Sequence, residues 1–167
     1  MELVDIVKPN GQRLHSMSKQ QAHAEGLLHP CVIGVVRGAD GSRVVVRQNT
    51  HKQDAGQYVN PVGGHVQAGE NLEDALKREV LEEIGWTTFE FDLIGNIIYD
   101  REVLGHRENH LFHVYNIRSA EPFVINDESV EVRKLTAPEY TALLHDEPHL
   151  FGPPHHFVEH ALPEFFA

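Results

Sequence analysis

The chain of 167 residues has a single cysteine, Cys31. It can form no internal disulfide framework, and a reducing compartment is expected. No apolar run approaches the roughly 20 residues that span a bilayer, and the N-terminus lacks the pattern of a secretory leader. No membrane association is expected, and the cytoplasm is the expected location. Basic residues are also scarce: 14 Lys and Arg against 25 Asp and Glu give a formal net charge of −11, which argues against general affinity for nucleic acid. A phosphate-bearing ligand would therefore need local help, from metal ions and a few basic side chains. Internal repeats and low-complexity tracts are missing too. What is present, 41% hydrophobic and 23% charged residues, suits one globular domain over 1–167 with a single sizeable core.

The most informative stretch runs from Gly64 to Trp86, GHVQAGENLEDALKREVLEEIGW. At about 100° per residue, Glu79, Glu82 and Glu83 share one face of a helix within a single turn. Leu76, Val80 and Ile84 form an adjacent stripe that can bury against a sheet. Asn71 suits the N-cap, Glu73 and Asp74 the first turn, and Gly85 the C′ position. Clustered carboxylates repel one another, so such a helix needs a counter-charge. A divalent ion with a preference for oxygen, Mg²⁺ or Mn²⁺, matches these ligands.

Written as Gly64-x5-Glu70-x7-Arg78-Glu79-Val80-x-Glu82-Glu83-x-Gly85-Trp86, the stretch resembles the Nudix box at every fixed position. The resemblance implies an α/β fold, an α/β/α sandwich with a mixed sheet between helices. It also implies metal-dependent attack of water on a diphosphate linkage in a nucleoside-diphosphate-linked or related small molecule. Carried over residue by residue, it makes Glu79 and Glu83 the principal metal ligands and Glu82 a further ligand or the base. Arg78 would hold a carboxylate in place, Gly64 would offer a backbone carbonyl near the metal, and Glu70 would brace the loop through Arg78. Gly26-Leu27-Leu28-His29, Lys52 with its preceding polar loop, and Gly63 to Glu70 look like the branch related to isopentenyl-diphosphate isomerase. By that likeness Arg47 and Lys52 flank the substrate cleft. Where the isomerase carries a catalytic cysteine, this chain has Gly63, which has no proton to exchange. A pair of glutamates in that branch corresponds here to His106 and Glu108, so Glu108 is the expected acid from outside the box, with Glu102 and Glu128 as competing donors. Two other readings stand beside hydrolysis: a nucleotide- or sugar-sensing domain without catalysis, and the isomerase itself.

Around the box, the chain reads as a hairpin near residues 1–20 with its turn at Asn10-Gly11, and then a polar turn or short helix over Ser16 to Glu25. A buried strand follows from Leu27 to Val36, turning at Gly38–Ser42 into Arg43–Arg47. Inside that buried run Cys31 reads as a small hydrophobe rather than a nucleophile. Further strands are expected at Tyr58–Val62, Phe89–Ile94, Ile97–Tyr99, Leu111–Tyr115 and Val130–Leu135, with Asp100 to Asn109 a polar connection. Thr136 and Glu139 form a capping box opening a helix, and a Pro-broken helical tail covers about 148–167. The 13 histidines suggest no metal set by spacing. Those of the tail read as solvated or locally packed, and His110 and His113, three apart in a strand, face opposite ways. Oligomeric state is open, a homodimer being the commonest assembly.

Overall fold

The computed structural model describes residues 1–166. Strands β1 (Leu3–Val7) and β2 (Arg13–Ser18) pair as a separate antiparallel hairpin. Ser18 then caps helix α1 (Lys19–Glu25), its hydroxyl accepting from the Gln21 N–H, and Gly26 closes the helix in the left-handed conformation. The main sheet has seven strands: β3 (His29–Gly38), β4 (Arg43–Gln48), β5 (Tyr58–Val59), β6 (Val62–His65), β7 (Glu90–Val103), β8 (His106–Ser119) and β9 (Ser129–Leu135). They run in the order β5-β4-β3-β8-β7, with β6 also paired to β3 and β9 to β4. The β3–β8 pair is parallel and the others antiparallel, so the sheet is mixed.

Helix α2 (Leu72–Ile84) starts where Asn71 accepts from the Asp74 N–H and ends at Gly85 in the left-handed conformation. Its Leu76, Val80 and Ile84 are buried against Val32, Val36, Val62 and Ile117 on one face of the sheet. Burial of each contributes about 1.5–3 kcal/mol, enough to fix which way the carboxylate face points. The opposite face, with Cys31, Val35, Phe112 and Val114, is covered by Val158 of helix α4 (Pro153–Ala161). Helix α3 (Ala137–Asp146) begins with the Thr136–Glu139 capping box. A 3₁₀ turn at Pro148–Leu150 and helix α5 (Pro163–Phe166) complete the described residues. Sheet between helices is the expected α/β sandwich. In the tail, His155 is buried and bonded to the Tyr140 hydroxyl at 2.6 Å.

Two expectations about the strands are corrected. Asp100 to Asn109 is no polar connection but the paired end of a two-strand arm, 14 residues per strand, turning at Leu104–Gly105. Its polar residues serve the pairing: Arg101 faces Glu108 across the ladder, and Arg107 binds Asp100. The stretch Tyr58–Val62 is not one strand either. It breaks at Asn60–Pro61, where proline offers no N–H to a ladder, so β5 pairs with β4 and β6 with β3.

Candidate metal and active site

Helix α2 delivers its carboxylates to the edge of the sheet beside Gly63 and Gly64 of β6. Gly64 faces Glu79 so closely that a Cβ there would lie 2.2 Å from the carboxylate, so any side chain at this position would displace the Glu79 carboxylate from its bond to Arg78. The Gly63 N–H donates to Glu83 at 2.9 Å. Arg78 donates to both oxygens of Glu70, to Glu79 and to the His65 carbonyl, tying box loop and helix together. Burial pushes the Glu79 carboxyl up to about 7 against the opposing pull of Arg78. Burial pushes Glu83 well above the usual carboxylate range too, with the Gly63 N–H opposing and Glu79 adding to the shift. Among the described residues, Arg78 bonds Glu79, and Glu83 has only the Gly63 N–H, so this pair of desolvated carboxylates is short of positive charge, and a hard divalent ion with oxygen ligands fits that donor set. Glu82, more exposed, stands 3.7 Å from Arg78.

These groups open onto a cavity of about 570 Å³. Of the residues singled out from sequence, Gly64, Arg78, Glu79, Glu82, Glu83, Lys52 and Glu108 all line it. Arg47 does not: Val46 and Gln48 face the cavity, so strand alternation turns Arg47 to the other side, where it binds Glu131 at 2.9 Å. Lys52 is held by Glu128, also on the cavity wall, at 2.8 Å. Glu108 accepts from Arg101 Nε at 2.9 Å, while the Arg101 guanidinium also grips Asp54. Glu102, the other competing donor, lies away from this cavity, in a second cleft.

The sequence reading missed a second group. His29 stands beside His110 in the β3–β8 register, and Cys31 stands opposite His65 in the β3–β6 register. Residues two apart share a face, so His29, His65 and His110 converge on one side of the sheet, and α1 adds His23. Their ligand atoms all lie within 4.8 Å of one another. His23 Nε2 is 3.2 Å from His65 Nε2 and 3.3 Å from His110 Nε2. His29 Nδ1 is 2.7 Å from the Leu27 carbonyl. A carbonyl can only accept, so Nδ1 carries the proton and Nε2 presents a buried lone pair, and that atom has no partner among the described residues. Burial, seconded by the neighbouring imidazoles, lowers His23 to about 4 and His110 to about 2, and it lowers His65 as well. Four neutral imidazoles, one with an orphaned buried nitrogen, form a donor set for a borderline transition ion. No local spacing could have revealed it, because the ring contacts join residues as far apart as 23 and 110. His113, as expected, faces away and meets Asn96 at 2.7 Å.

A model of the NUDIX domain matches residues 27–152. The chain belongs to the Nudix family. The uncharacterised Nudix hydrolase YfcD of Escherichia coli is 30% identical over 147 residues, 84% of this chain and 77% of that protein. An uncharacterised Nudix hydrolase of Streptomyces coelicolor is 39% identical over 90 residues, 50% of this chain and 47% of its own length. A protein of Halorhodospira halophila named isopentenyl-diphosphate Delta-isomerase is 36% identical over 90 residues, 53% of this chain and 51% of its own. The chain thus spans about half the length of these last two relatives. A solved Deinococcus radiodurans protein superposes with a TM-score of 0.72 over 95% of this chain and 98% of its own at 19% identity, which establishes the shared Nudix-type fold. In this Nudix protein the box glutamates and three of the four histidines, His23, His65 and His110, face a common cavity, and His29 is fully buried.

Proposed function

We propose that the protein hydrolyses a diphosphate linkage in a nucleoside-diphosphate-linked or related small molecule, with Mg²⁺ or Mn²⁺ held by the box. The observation that carries this reading is the pair of carboxylates on the cavity wall, buried Glu79 and half-buried Glu83, set against Gly64 and Gly63. Glu79 and Glu83 are the principal ligands, Gly64 adds its carbonyl, and Glu82 is a further ligand or the base. Bound there, the ion supplies charge neutralisation across phosphate oxygens and a lowered pKa for water. Arg78 keeps Glu79 oriented and fixes the loop through Glu70. Glu108, locked by Arg101, presents a carboxylate to the cavity from a strand rather than a loop, where position is better defined. Lys52 reaches phosphate by leaving Glu128. The four-histidine set suits a second ion of the zinc, cobalt or iron type.

Incubating the protein with a panel of diphosphate compounds, with Mg²⁺ or Mn²⁺ and with EDTA, and identifying the products tests the reading. Metal-dependent cleavage of at least one compound is expected. Cleavage that persists in EDTA would overturn it.

The isomerase-named relatives favour a second reading, allylic isomerisation of a prenyl diphosphate. Against it, Gly63 carries no proton donor, and a Cβ at that position would meet the Ile33 side chain at 3.2 Å. Supplied with isopentenyl diphosphate and metal, the protein is expected to form no dimethylallyl diphosphate above the no-enzyme control. Detection of that product would establish the second reading.

A further inference from the structure

Two charged groups on the cavity wall, Asp54 and Arg101, lie outside the box. Asp54 sits in the loop between β4 and β5, and its backbone is fixed on both sides. Its N–H donates to Gln48 Oε1 at 3.0 Å, and its carbonyl accepts from the Gln57 N–H at 3.0 Å. A Cβ on Gly152 would lie 3.2 Å from Asp54 Cβ and 3.3 Å from its Cγ, so the chain entering α4 closes over this side chain. Arg101 reaches Asp54 from β7. Its Nη1 and Nη2 donate to the two Asp54 oxygens at 2.9 and 3.2 Å, and its Nε donates to Glu108 Oε2 at 2.9 Å. The side chains of Arg101, Asp54 and Glu108 are only 15%, 8% and 8% exposed. In the β7–β8 ladder Arg101 stands directly opposite Glu108. That pairing alone would leave the guanidinium free to pivot about one Nε bond. The two-pronged grip of Asp54 fixes its plane.

Two carboxylates and one guanidinium shut off from water make a poor stabilising device, because desolvation offsets most of their attraction. Both Asp54 oxygens are taken by the guanidinium, so Asp54 acts on the cavity only through Arg101. Glu108 has Oε2 held by Arg101, while Oε1 stands 3.6 Å from His106 Nε2, beyond hydrogen-bond reach. Resting on the proposed hydrolysis, in which Glu108 presents a carboxylate to the cavity, we infer that Asp54 is a positioning residue. It fixes the plane of Arg101 and thereby aims the free oxygen of Glu108 at the reacting centre. The same loop carries Lys52, the side chain that meets phosphate in that reading, so one loop both receives the substrate and aims the carboxylate. Arg101 is no phosphate anchor itself, because the two carboxylates bonded to it outweigh its single charge.

The test is a double-mutant cycle in kcat and KM on the best substrate from the diphosphate panel, with circular dichroism to verify the fold. Asp54→Asn keeps one acceptor oxygen but loses the charge and the two-pronged grip, so kcat should fall about tenfold with KM within about twofold. Combined with Glu108→Gln, it should cost no more than about a further twofold, whereas independent effects would multiply to about a hundredfold. Arg101→Lys retains the charge but cannot hold both carboxylates in one plane. It should match Asp54→Asn, and it carries the test should that variant fold poorly. Asp100→Asn cuts the other ion pair of the same arm, with Arg107, and should leave kcat within about twofold. Near-normal kcat in Asp54→Asn, or losses that multiply in the double variant, would overturn the positioning role. A change confined to KM would make Arg101 a phosphate ligand and overturn it as well. A wild type that cleaves no compound of the panel refutes the hydrolytic reading and this inference with it. Metal-dependent cleavage that Glu108→Gln leaves unchanged sinks this inference alone.

Discussion

Lowering the pH should destabilise the metal-free protein. Burial depresses the pKa of six histidines, His23, His29, His65, His110, His113 and His155. In the unfolded chain each titrates near 6.5. The unfolded state therefore takes up protons that the native state refuses. The stability these groups contribute is complete above 6.5 and is lost as the pH falls from there, down to about 4 for His23 and about 2 for His110. Glu79 and Glu83 act with the opposite sign. Glu79 keeps its proton in the native state between about 7 and the usual 4.5, and Glu83, raised as well, adds to the same effect, so both favour folding as the pH falls. His65, His110 and His155 are held far enough down that each counts as about one proton against the two carboxylates, and one proton is worth about 1.4 kcal/mol per pH unit, so stability should fall by at least roughly 1.4 kcal/mol per unit below 6.5. Urea midpoints measured by near-UV circular dichroism between pH 8 and 5 report the slope. His65→Asn/His110→Asn should flatten it by about two protons. Zn²⁺ at a hundredfold excess over its Kd should restore about 2.7 kcal/mol. Stability that stays level or rises between pH 7 and 5, or a slope the double variant leaves unchanged, would refute the reasoning.

Glu108→Gln keeps its bond to Arg101 through the amide oxygen but loses its charge, so kcat on the best substrate should fall at least about tenfold with KM little changed. Normal turnover, with the side chain clear of both metal and water in a metal-soaked crystal, would reduce Glu108 to a structural partner of Arg101. Gly64→Ala drives a Cβ into the Glu79 carboxylate, so it should cost about 1–3 kcal/mol by urea denaturation and weaken Mg²⁺ binding together. Wild-type stability and affinity in that variant would contradict the close approach of β6 to α2.

The box helix was legible because its information is local. Asn71, the Leu76–Val80–Ile84 stripe, the three glutamates and Gly85 all act within one continuous helix, where a period of 3.6 fixes which side chains meet. The Glu108 arm was misjudged for a physical reason. Charged residues from Asp100 to Asn109 look like a solvated connection, yet Arg101, Glu108, Asp100 and Arg107 neutralise one another across paired strands. The histidine set lay beyond sequence reading altogether. His29, His65 and His110 meet only through the pairing of three strands, and His23 joins them from a helix in the gap before β3. Arg47 failed to reach the cavity by a single step of strand alternation, a difference of one residue that no spacing rule resolves without the register.

The most direct measurement is kcat for Glu83→Gln at saturating Mg²⁺ on the best substrate from the diphosphate panel, with circular dichroism to verify the fold. The side chain lies off the apolar stripe of α2, and a glutamine oxygen can still accept from the Gly63 N–H, so the fold should hold. Loss of one electrostatic catalytic group predicts a fall of at least about a hundredfold. Turnover near that of the wild type would contradict the assignment of Glu83 as a metal ligand and, with it, the placing of hydrolysis at the box.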